Sequence, residues 1–305
     1  ESTAYYYFCS NIKTGEFYYA GTLQEHEELL NTAHDRYMIE TPHGDISNED
    51  LSLLAKCVNL RVLILDYQQI SDLSSLSGLP LEYLSLTGNQ VSDLSPLVSC
   101  PGLQVLDVGE NPINSAAVLS QLPALREVVL EATGITSVAP LSGSAIRYLN
   151  VRSTWVSDYT PLESCPDLTR LVTGELPDGA ASTLAGLTTL EELRLYSTPD
   201  IDLTLFSGLQ HLRALDLYAC TLSHLEALSQ LNSLYYLNIG ETGLKDLSFL
   251  PSLPALAELE LRENPLTDLT PLLDCPWLTH LTLSSRHQAL AQAQLSDAPF
   301  QISYG

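Results

Sequence analysis

The segment that decides the fold is Leu81–Pro101, LEYLSLTGNQVSDLSPLVSCP. Its pattern L-x-x-L-x-L recurs at spacings of 21 or 22 residues. The first apolar residue of each copy, which we denote s, is Leu60, Leu81, Leu103, Leu125, Ile146, Leu168, Leu190, Leu212, Leu234, Leu256 or Leu278. Apolar residues at s+3 and s+5 alternate with outward positions, which predicts a short β-strand with one buried face. Repetition at this period predicts a stack of similar units.

Other positions of the repeat describe the turn that follows each strand. Position s+8 is polar in most repeats, as in Asn89, Asn111 and Thr133, and can satisfy backbone groups of the neighbouring repeat. Position s+12 is commonly Asp or Ser, and proline stands at s+15 in four repeats. These residue types predict a short helical turn with a capped N-terminus. Leu or Phe at s+16 predicts that the turn buries one side chain.

This repeat resembles the bacterial leucine-rich repeat of the 22-residue, internalin-like class. Eleven matches in register cover residues 60–283. The resemblance implies an α/β fold, a right-handed solenoid or horseshoe with a parallel concave β-sheet and short helical or 3-10 convex turns. The repeat that begins at Leu168 departs most, because residues 174–182 lose the polar and capping positions. We predict an irregular convex loop there.

The sequence divides into three regions. Residues 1–37 hold eight of the twenty Tyr and Phe residues and only three Leu. We predict an N-terminal flank there, with an aromatic hairpin and a helix over 23–32. Residues 38–283 form the leucine-rich repeat domain, with a degenerate first repeat at 38–59 that contains a helix over 48–56, and eleven repeats from 60. Residues 284–305 are predicted to be a C-terminal flank, because the open ends of a stack need cover.

Charge limits the classes of partner. The chain has 13 Lys and Arg against 37 Asp and Glu, a formal net charge of −24. Nucleic acid is therefore excluded as a partner, because phosphate binding needs clustered basic side chains. No apolar run approaches the roughly 18 to 20 residues of a membrane span. We expect a monomer.

The sequence predicts no catalytic, cofactor-binding or metal-binding residues, and hence no enzyme and no cofactor. Nucleophile-elbow, Walker and dinucleotide-binding motifs are absent from the sequence. His34, Asp35 and His43 could meet near the N-terminal flank, but chance proximity is favoured over a metal site. Most cysteines occupy repeat positions and are predicted to be reduced and structural: Cys57, Cys100, Cys165, Cys220 and Cys275. Cys9 alone is placed to pair, with Cys57 as its candidate partner.

The resemblance places partner binding on the concave face, where the outward strand positions lie. The candidate partner-binding residues are Tyr148, Asn150, Arg152, Trp155, Arg170, Arg194, Tyr196, Asp216, Tyr218, Tyr236 and Asn238. Tyr and Arg are enriched at binding hot spots. Trp155, at s+9, is expected to be exposed beside this set, whereas Trp277 is expected to pack against the C-terminal flank.

A structural interpretation of the same residues competes with the binding one. Neighbouring strands of a parallel stack lie about 4.8 Å apart, so charges in one column face each other. The expected pairs are Arg152 with Glu131, Arg170 with Glu192, and Arg194 with Asp216, each worth about 0 to 1 kcal/mol.

The leading hypothesis is a non-enzymatic module that presents its concave surface to a protein partner. One alternative is a sensory or scaffolding domain of a larger anchored protein, because the aromatic segment 5–8 is costly to expose without cover. Another is a glycan-binding surface protein that stacks sugars on its aromatic residues. The resemblance implies a bacterial source and a secreted or cell-surface location, which the residues themselves do not separate from a cytoplasmic one.

Overall fold

The structure is a computed structural model that describes residues 7–11, 17–20, 37–40, 47–57 and 59–305. The chain forms two compact units. The N-terminal unit comprises Glu1–Val156 and Ser164–Pro166, and the C-terminal unit comprises Ser157–Glu163 and Asp167–Gly305.

The N-terminal unit contains one mixed sheet. Its strands are β1 (Tyr7–Asn11), β2 (Phe17–Ala20), β3 (Tyr37–Glu40), β4 (Leu60–Ile64), β5 (Tyr83–Ser85), β6 (Val105–Asp107), β7 (Glu127–Val129) and β8 (Tyr148–Val151). Strand β1 pairs antiparallel with both β2 and β3, and β3 to β8 follow one another in parallel. Antiparallel pairing of β1 with β2 is the arrangement that a hairpin between them requires.

The C-terminal unit contains a parallel sheet and a separate pair of short strands. The main strands are β9 (Arg170–Thr173), β10 (Glu192–Arg194), β12 (Ala214–Asp216), β14 (Tyr236–Asn238), β15 (Glu258–Glu260), β16 (His280–Leu283) and β17 (Gln301–Tyr304). The short pair is β11 (Ile201–Asp202) with β13 (Leu222–Ser223). Strand β17 adds to β16 in parallel, so the sheet continues beyond the last repeat.

Most strands are followed in the sequence by one short helix. The α-helices are α1 (Asn48–Leu51), α2 (Ala180–Leu184) and α3 (Gln288–Gln294). The 3-10 helices are Ser52–Lys56, Ser74–Leu76, Ser95–Ser99, Ala117–Gln121, Ala139–Leu141, Thr160–Ser164, Leu203–Gly208, Leu225–Gln230, Leu250–Ser252, Thr270–Asp274 and Ser285–His287. The predicted helix over 48–56 is observed as α1 followed by a 3-10 turn, with a capping box between Ser47 and Asp50.

The repeat columns build the core as the periodicity predicts. In the second repeat Leu81, Leu84, Leu86 and Leu97 are all 0% exposed. Each strand thus buries one face, and the helical turn at s+16 closes the core from the other side. The predicted leucine-rich repeat fold is confirmed, with parallel strands and short 3-10 turns in each unit.

Aspartates at s+12 accept hydrogen bonds from the start of the turns, but only Asp202 is itself an N-cap residue, because the N-cap after Asp72, Asp93 and Asp268 is the leucine that follows. Asp93 accepts hydrogen bonds from the Ser95 N–H and the Ser95 hydroxyl, both at 2.8 Å. These two bonds lower the pKa of the Asp93 carboxyl below its ordinary value. The same bond to the N–H two residues on is made by Asp72, Asp158, Asp202, Asp246 and Asp268. Where serine stands at s+12, as in Ser137, its hydroxyl accepts the bond from Ala139.

We expect these caps to make stability depend on acid pH. A carboxyl whose folded pKa is lowered contributes stability above its unfolded pKa and loses it as pH falls through the folded pKa. The contribution of these caps to the urea midpoint should therefore be lost as pH falls from about 5 to about 3. The double variant Asp72→Ser and Asp93→Ser keeps a capping oxygen but has no charge there, so its midpoint should fall less. An equal fall in both proteins would contradict this account.

Several local predictions need correction or lie outside the described residues. The loop predicted at 174–182 is irregular only to Gly179, whose φ of 82° lets α2 begin at Ala180. Trp277 is 61% exposed and does not pack as predicted, since it precedes β16 outside its buried face. The helix over 23–32, the group His34, Asp35 and His43, and the side chain of Cys9 with its proposed partner bond lie outside the described residues.

The described cysteines behave as structural residues. Cys100, Cys220 and Cys275 are buried free thiols. Burial raises the pKa of the Cys275 thiol to about 11, which keeps it protonated. Among the residues that the structure describes, no group of His, Cys, Asp and Glu could hold a metal ion. No helix in the described ranges is both long and apolar enough to cross a bilayer.

Candidate functional site

Polar residues at s+4 turn back to the backbone instead of projecting into solvent. The Oδ1 atoms of Asn150, Asp216 and Asn238 accept the N–H two residues on, each at 3.0 Å. The exposed fractions of these three residues are 7%, 5% and 5%. The prediction that they form open contact surface is therefore wrong.

The backbone explains why these side chains turn inward. In the repeat that contains Asp216, the N–H groups of Leu217 and Ala219 donate to the next repeat, at 2.8 and 2.9 Å. The N–H of Tyr218 lies between them and is satisfied by Asp216. A polar residue at s+4 thus accepts the one N–H group that the hydrogen bonds between repeats leave unsatisfied. The alternation of inward and outward strand positions does not reveal this role.

The C-terminal unit brings four of the candidate residues to one strand face. Arg194, Tyr196, Tyr218 and Tyr236 occupy outward positions of neighbouring repeats, and we call this set the tyrosine face. Arg194 is exposed and the three tyrosines are half-buried. Arg170, on β9, stands beside Glu192 as predicted from the column.

Hydrogen bonds fix the tyrosine rings in place. The Tyr196 hydroxyl donates to Asp216 Oδ2 at 3.2 Å, and the Tyr236 hydroxyl donates to Glu260 Oε1 at 3.0 Å. The ring of Tyr218 lies against Gly240, where an added Cβ would come within 3.1 Å of its Cδ2 atom. The tyrosine face is therefore a set of rings with constrained positions.

Charges on this face are neutralised within the fold. Arg194 Nε lies 2.6 Å from Glu192 Oε1. The predicted ion pair of Arg194 with Asp216 is wrong, because Glu192 stands two residues away on the same strand and takes the guanidinium. Burial raises the pKa of the Asp216 carboxyl, and hydrogen bonds from Tyr218, Asn238 and Tyr196 act against that rise. Burial likewise raises the pKa of Tyr196, so at neutral pH its hydroxyl keeps the proton that it donates.

The N-terminal unit holds the remaining candidates on its last repeat. Arg152 Nη1 lies 3.7 Å from Glu131 Oε1, which is the predicted column pair. Asn150 donates to the other oxygen of Glu131 at 2.9 Å. Tyr148 is half-buried, and Trp155 is 76% exposed, as predicted. An ion pair this exposed contributes little to stability.

One backbone feature at the end of most strands is not predicted by the residue types there. The residue at s+7 has a left-handed backbone, with φ from 53° to 59°, in most repeats: Tyr67, Glu110, Ala132, Ser153, Ser197, Ala219, Glu241 and Glu263. Gly88 holds the same position at φ 70°, and an added Cβ there would collide with the Tyr67 ring. Only this glycine carries a sequence signal, since Glu, Ala and Ser seldom adopt this conformation.

Similarity to other proteins agrees with this geometry. Residues 81–121 match the family model for leucine-rich repeats in two copies. An internalin from Listeria monocytogenes, known from its crystal structure, has a TM-score of 0.71 and 23% sequence identity, covering 95% of this chain and 85% of that one. The chain has a leucine-rich repeat fold. Its resemblance to internalin-like proteins is confirmed at the level of the fold.

Two further structures share the fold. A leucine-rich repeat protein from Leptospira interrogans has a TM-score of 0.61 and 18% identity, covering 83% of this chain and 74% of that one. The ectodomain of the plant receptor kinase GASSHO1/SCHENGEN3 from Arabidopsis thaliana, solved in complex with Casparian strip integrity factor 2, has a TM-score of 0.55 and 22% identity. That alignment covers 79% of this chain and 34% of the plant chain. A search of curated proteins found no match.

Proposed function

We propose that the chain is a non-enzymatic module that binds another protein through the tyrosine face. The observation that carries this proposal is the fixed position of the rings of Tyr196, Tyr218 and Tyr236 beside the exposed guanidinium of Arg194. A tyrosine already held by its hydroxyl loses little side-chain entropy when a partner covers its ring. The face therefore has the chemistry of a preorganised hot spot.

The other candidate residues take different parts in the proposal. Arg170, Tyr148 and Arg152 are proposed as further contacts with the partner. Asp216 and Asn238 are buried and support the tyrosine face, because Asp216 accepts the N–H of Tyr218 and Asn238 accepts the N–H of Gly240, against which the Tyr218 ring lies. Asn150 does the same for Arg152.

Proteins of similar fold support the proposed partner class and cellular location. The plant ectodomain binds its partner in the complex that its structure describes. The internalin similarity supports a bacterial protein that is secreted or displayed at the cell surface, and we propose that location here. We further propose that the chain acts as a monomer and needs no cofactor.

The test uses the purified chain as bait for surface proteins, followed by affinity measurement with the captured protein. Replacing Arg194, Tyr196 and Tyr218 together by alanine should raise the Kd at least about 100-fold, because hot-spot side chains each cost about 2 kcal/mol or more when truncated. Circular dichroism will check that the variant is folded.

The matched control is the double variant Arg286→Ala and Tyr304→Ala. These residues have the same side-chain types and are exposed in the same unit, but Tyr304 lies on β17, three strands beyond the β14 strand of Tyr236, and Arg286 follows β16. We expect this variant to bind as the wild type does. Unchanged affinity in the triple variant, or an equal loss in the control, would show that the tyrosine face is not the binding surface.

A further inference from the structure

A shallow pocket lies in the N-terminal unit, at the turns that leave the strands. Its volume is about 550 Å³. The residues that shape it are Glu110, Pro112, Asn114, Gly134, Ser153 and Trp155. They come from three successive repeats and include no residue of the tyrosine face, although Ser153 directly follows Arg152, which is proposed above as a further contact.

Trp155 forms an exposed aromatic wall of this pocket. Its side chain is 76% exposed, whereas its backbone N–H is fixed by a 3.0 Å bond to the Ile135 carbonyl. Position s+9 holds tryptophan, tyrosine or phenylalanine in no other repeat of the sequence. Tryptophan, which has an apolar ring and a polar N–H, is enriched at binding interfaces.

The pocket floor depends on a glycine. An added Cβ at Gly134 would collide with the Oδ1 atom of Asn114. Glycine therefore allows the Asn114 side chain to lie across the floor, with its Nδ2 directed to the Pro112 carbonyl at 3.3 Å.

Two polar side chains of the pocket, Asn111 and Thr133, use their hydrogen-bond donors within the fold. The Nδ2 of Asn111 donates to the carbonyls of Leu86, Val108 and Gly109. The Thr133 hydroxyl donates to the Leu130 carbonyl at 2.7 Å. In addition to the indole, the pocket offers the carboxylate of Glu110 and the hydroxyl of Ser153.

Glu110 is held in place and supplies the charge. Its Oε1 accepts from the Tyr67 hydroxyl at 3.3 Å, and its N–H donates to the Glu131 carbonyl at 2.8 Å. It is the only charged residue that lines the pocket among the described residues, and the whole chain carries a formal charge of −24.

We propose that this pocket binds a basic side chain, arginine or lysine, of a protein partner. An aromatic face attracts a cation, and a carboxylate pairs with its donors. Lys and Arg have donors and no acceptor, which matches a pocket whose charged lining group is the carboxylate of Glu110. A sugar carries no charge to pair with that carboxylate, so the observations favour the cation.

The test follows the two tryptophan indole N–H signals by NMR in protein labelled with ¹⁵N-tryptophan, with Trp277→Phe to assign them. The probe is the peptide acetyl-Gly-Arg-Gly-amide, and its control replaces arginine by citrulline, which has the same shape and no charge. We expect the arginine peptide to shift the Trp155 signal saturably, and less so at high salt. The citrulline peptide should leave it unchanged.

A variant of Glu110 tests the contribution of its carboxylate to peptide binding. Glu110→Gln keeps an oxygen for Tyr67 and should raise the Kd about tenfold. The matched control is Glu241→Gln, which has the same s+7 backbone and a tyrosine partner, Tyr218, but has no tryptophan nearby in its repeat. It should bind as the wild type does, as should the tyrosine-face triple variant, so this proposal and the proposed function can fail independently.

Three results would overturn the proposal. The first is equal binding of the arginine and citrulline peptides, and the second is an unchanged Kd in Glu110→Gln. The third is a shift of the Trp155 signal by cellotetraose without any shift by the arginine peptide, which would make the pocket a glycan site.

Discussion

Replacing Asn111 by alanine is expected to lower the free energy of unfolding by about 3 kcal/mol. Asn111 is 3% exposed, and its Nδ2 donates to three backbone carbonyls of its own and the preceding repeat. Its Oδ1 accepts the N–H of Val91 at 2.9 Å. Alanine removes all four bonds and leaves the Val91 N–H buried without that acceptor, a situation that costs about 1 to 3 kcal/mol for each orphaned group.

Threonine at the same position provides the control. In the next repeat Thr133 keeps one bond of this kind, from its hydroxyl to the Leu130 carbonyl at 2.7 Å. Asn111→Thr should therefore lose less than Asn111→Ala, roughly half as much in free energy. Urea denaturation of both variants followed by circular dichroism measures the difference. Losses below about 1 kcal/mol in both would show that the bonds of Asn111 contribute little.

Periodicity predicted the columns that this result depends on. Strand positions, buried leucines and the polar ladder at s+8 each recur along the chain, so the repeat reveals them without any structural information. The caps at s+12 followed from residue type, because Asp and Ser side chains satisfy free N–H groups at the start of a turn. For such features local chemistry and the global fold point to the same answer.

Features that depend on the backbone path could not be predicted in this way. The sequence shows that residues such as Asp216 are polar and alternate outward, but not that their side chains fold back onto the N–H at s+6. The left-handed residues at s+7 include Glu110 and Ala132, whose types give no hint of a positive φ. Contacts between repeats impose this conformation, because the N–H groups at s+5 and s+7 donate to carbonyls of the next repeat.

The candidate site was predicted only in part for the same reason. Sequence placed tyrosine and arginine on neighbouring strands, and the structure brings Arg194, Tyr196, Tyr218 and Tyr236 to one face. Which of the eleven candidate residues are exposed depends on hydrogen bonds that no spacing encodes. The pocket beside Trp155 needed the turn geometry as well, because its members come from three repeats and different positions.

Replacing Phe206 by alanine is expected to have the largest effect on the C-terminal unit. Phe206 is 0% exposed and fills the s+16 column, where every other complete repeat has leucine. It lies in the 3-10 helix Leu203–Gly208, so its ring closes the core opposite the strands. Loss of a buried phenyl ring costs about 3 to 5 kcal/mol, as transfer free energy and as a cavity that the rigid turn cannot fill.

Replacing Phe206 by leucine tests how much of the loss depends on the size of the buried side chain. Phe206→Leu restores the residue of the neighbouring turn, where Leu228 is 0% exposed, and should cost only about 1 kcal/mol. In a repeat protein each repeat is stabilised mainly by its neighbours, so the loss in Phe206→Ala should be local. Hydrogen exchange should show weaker protection of the amides of β10 and β12, with β5 and β6 protected as in the wild type. Equal loss of protection along the whole chain would mean that the repeats unfold as one unit, which would contradict this local account of their stability.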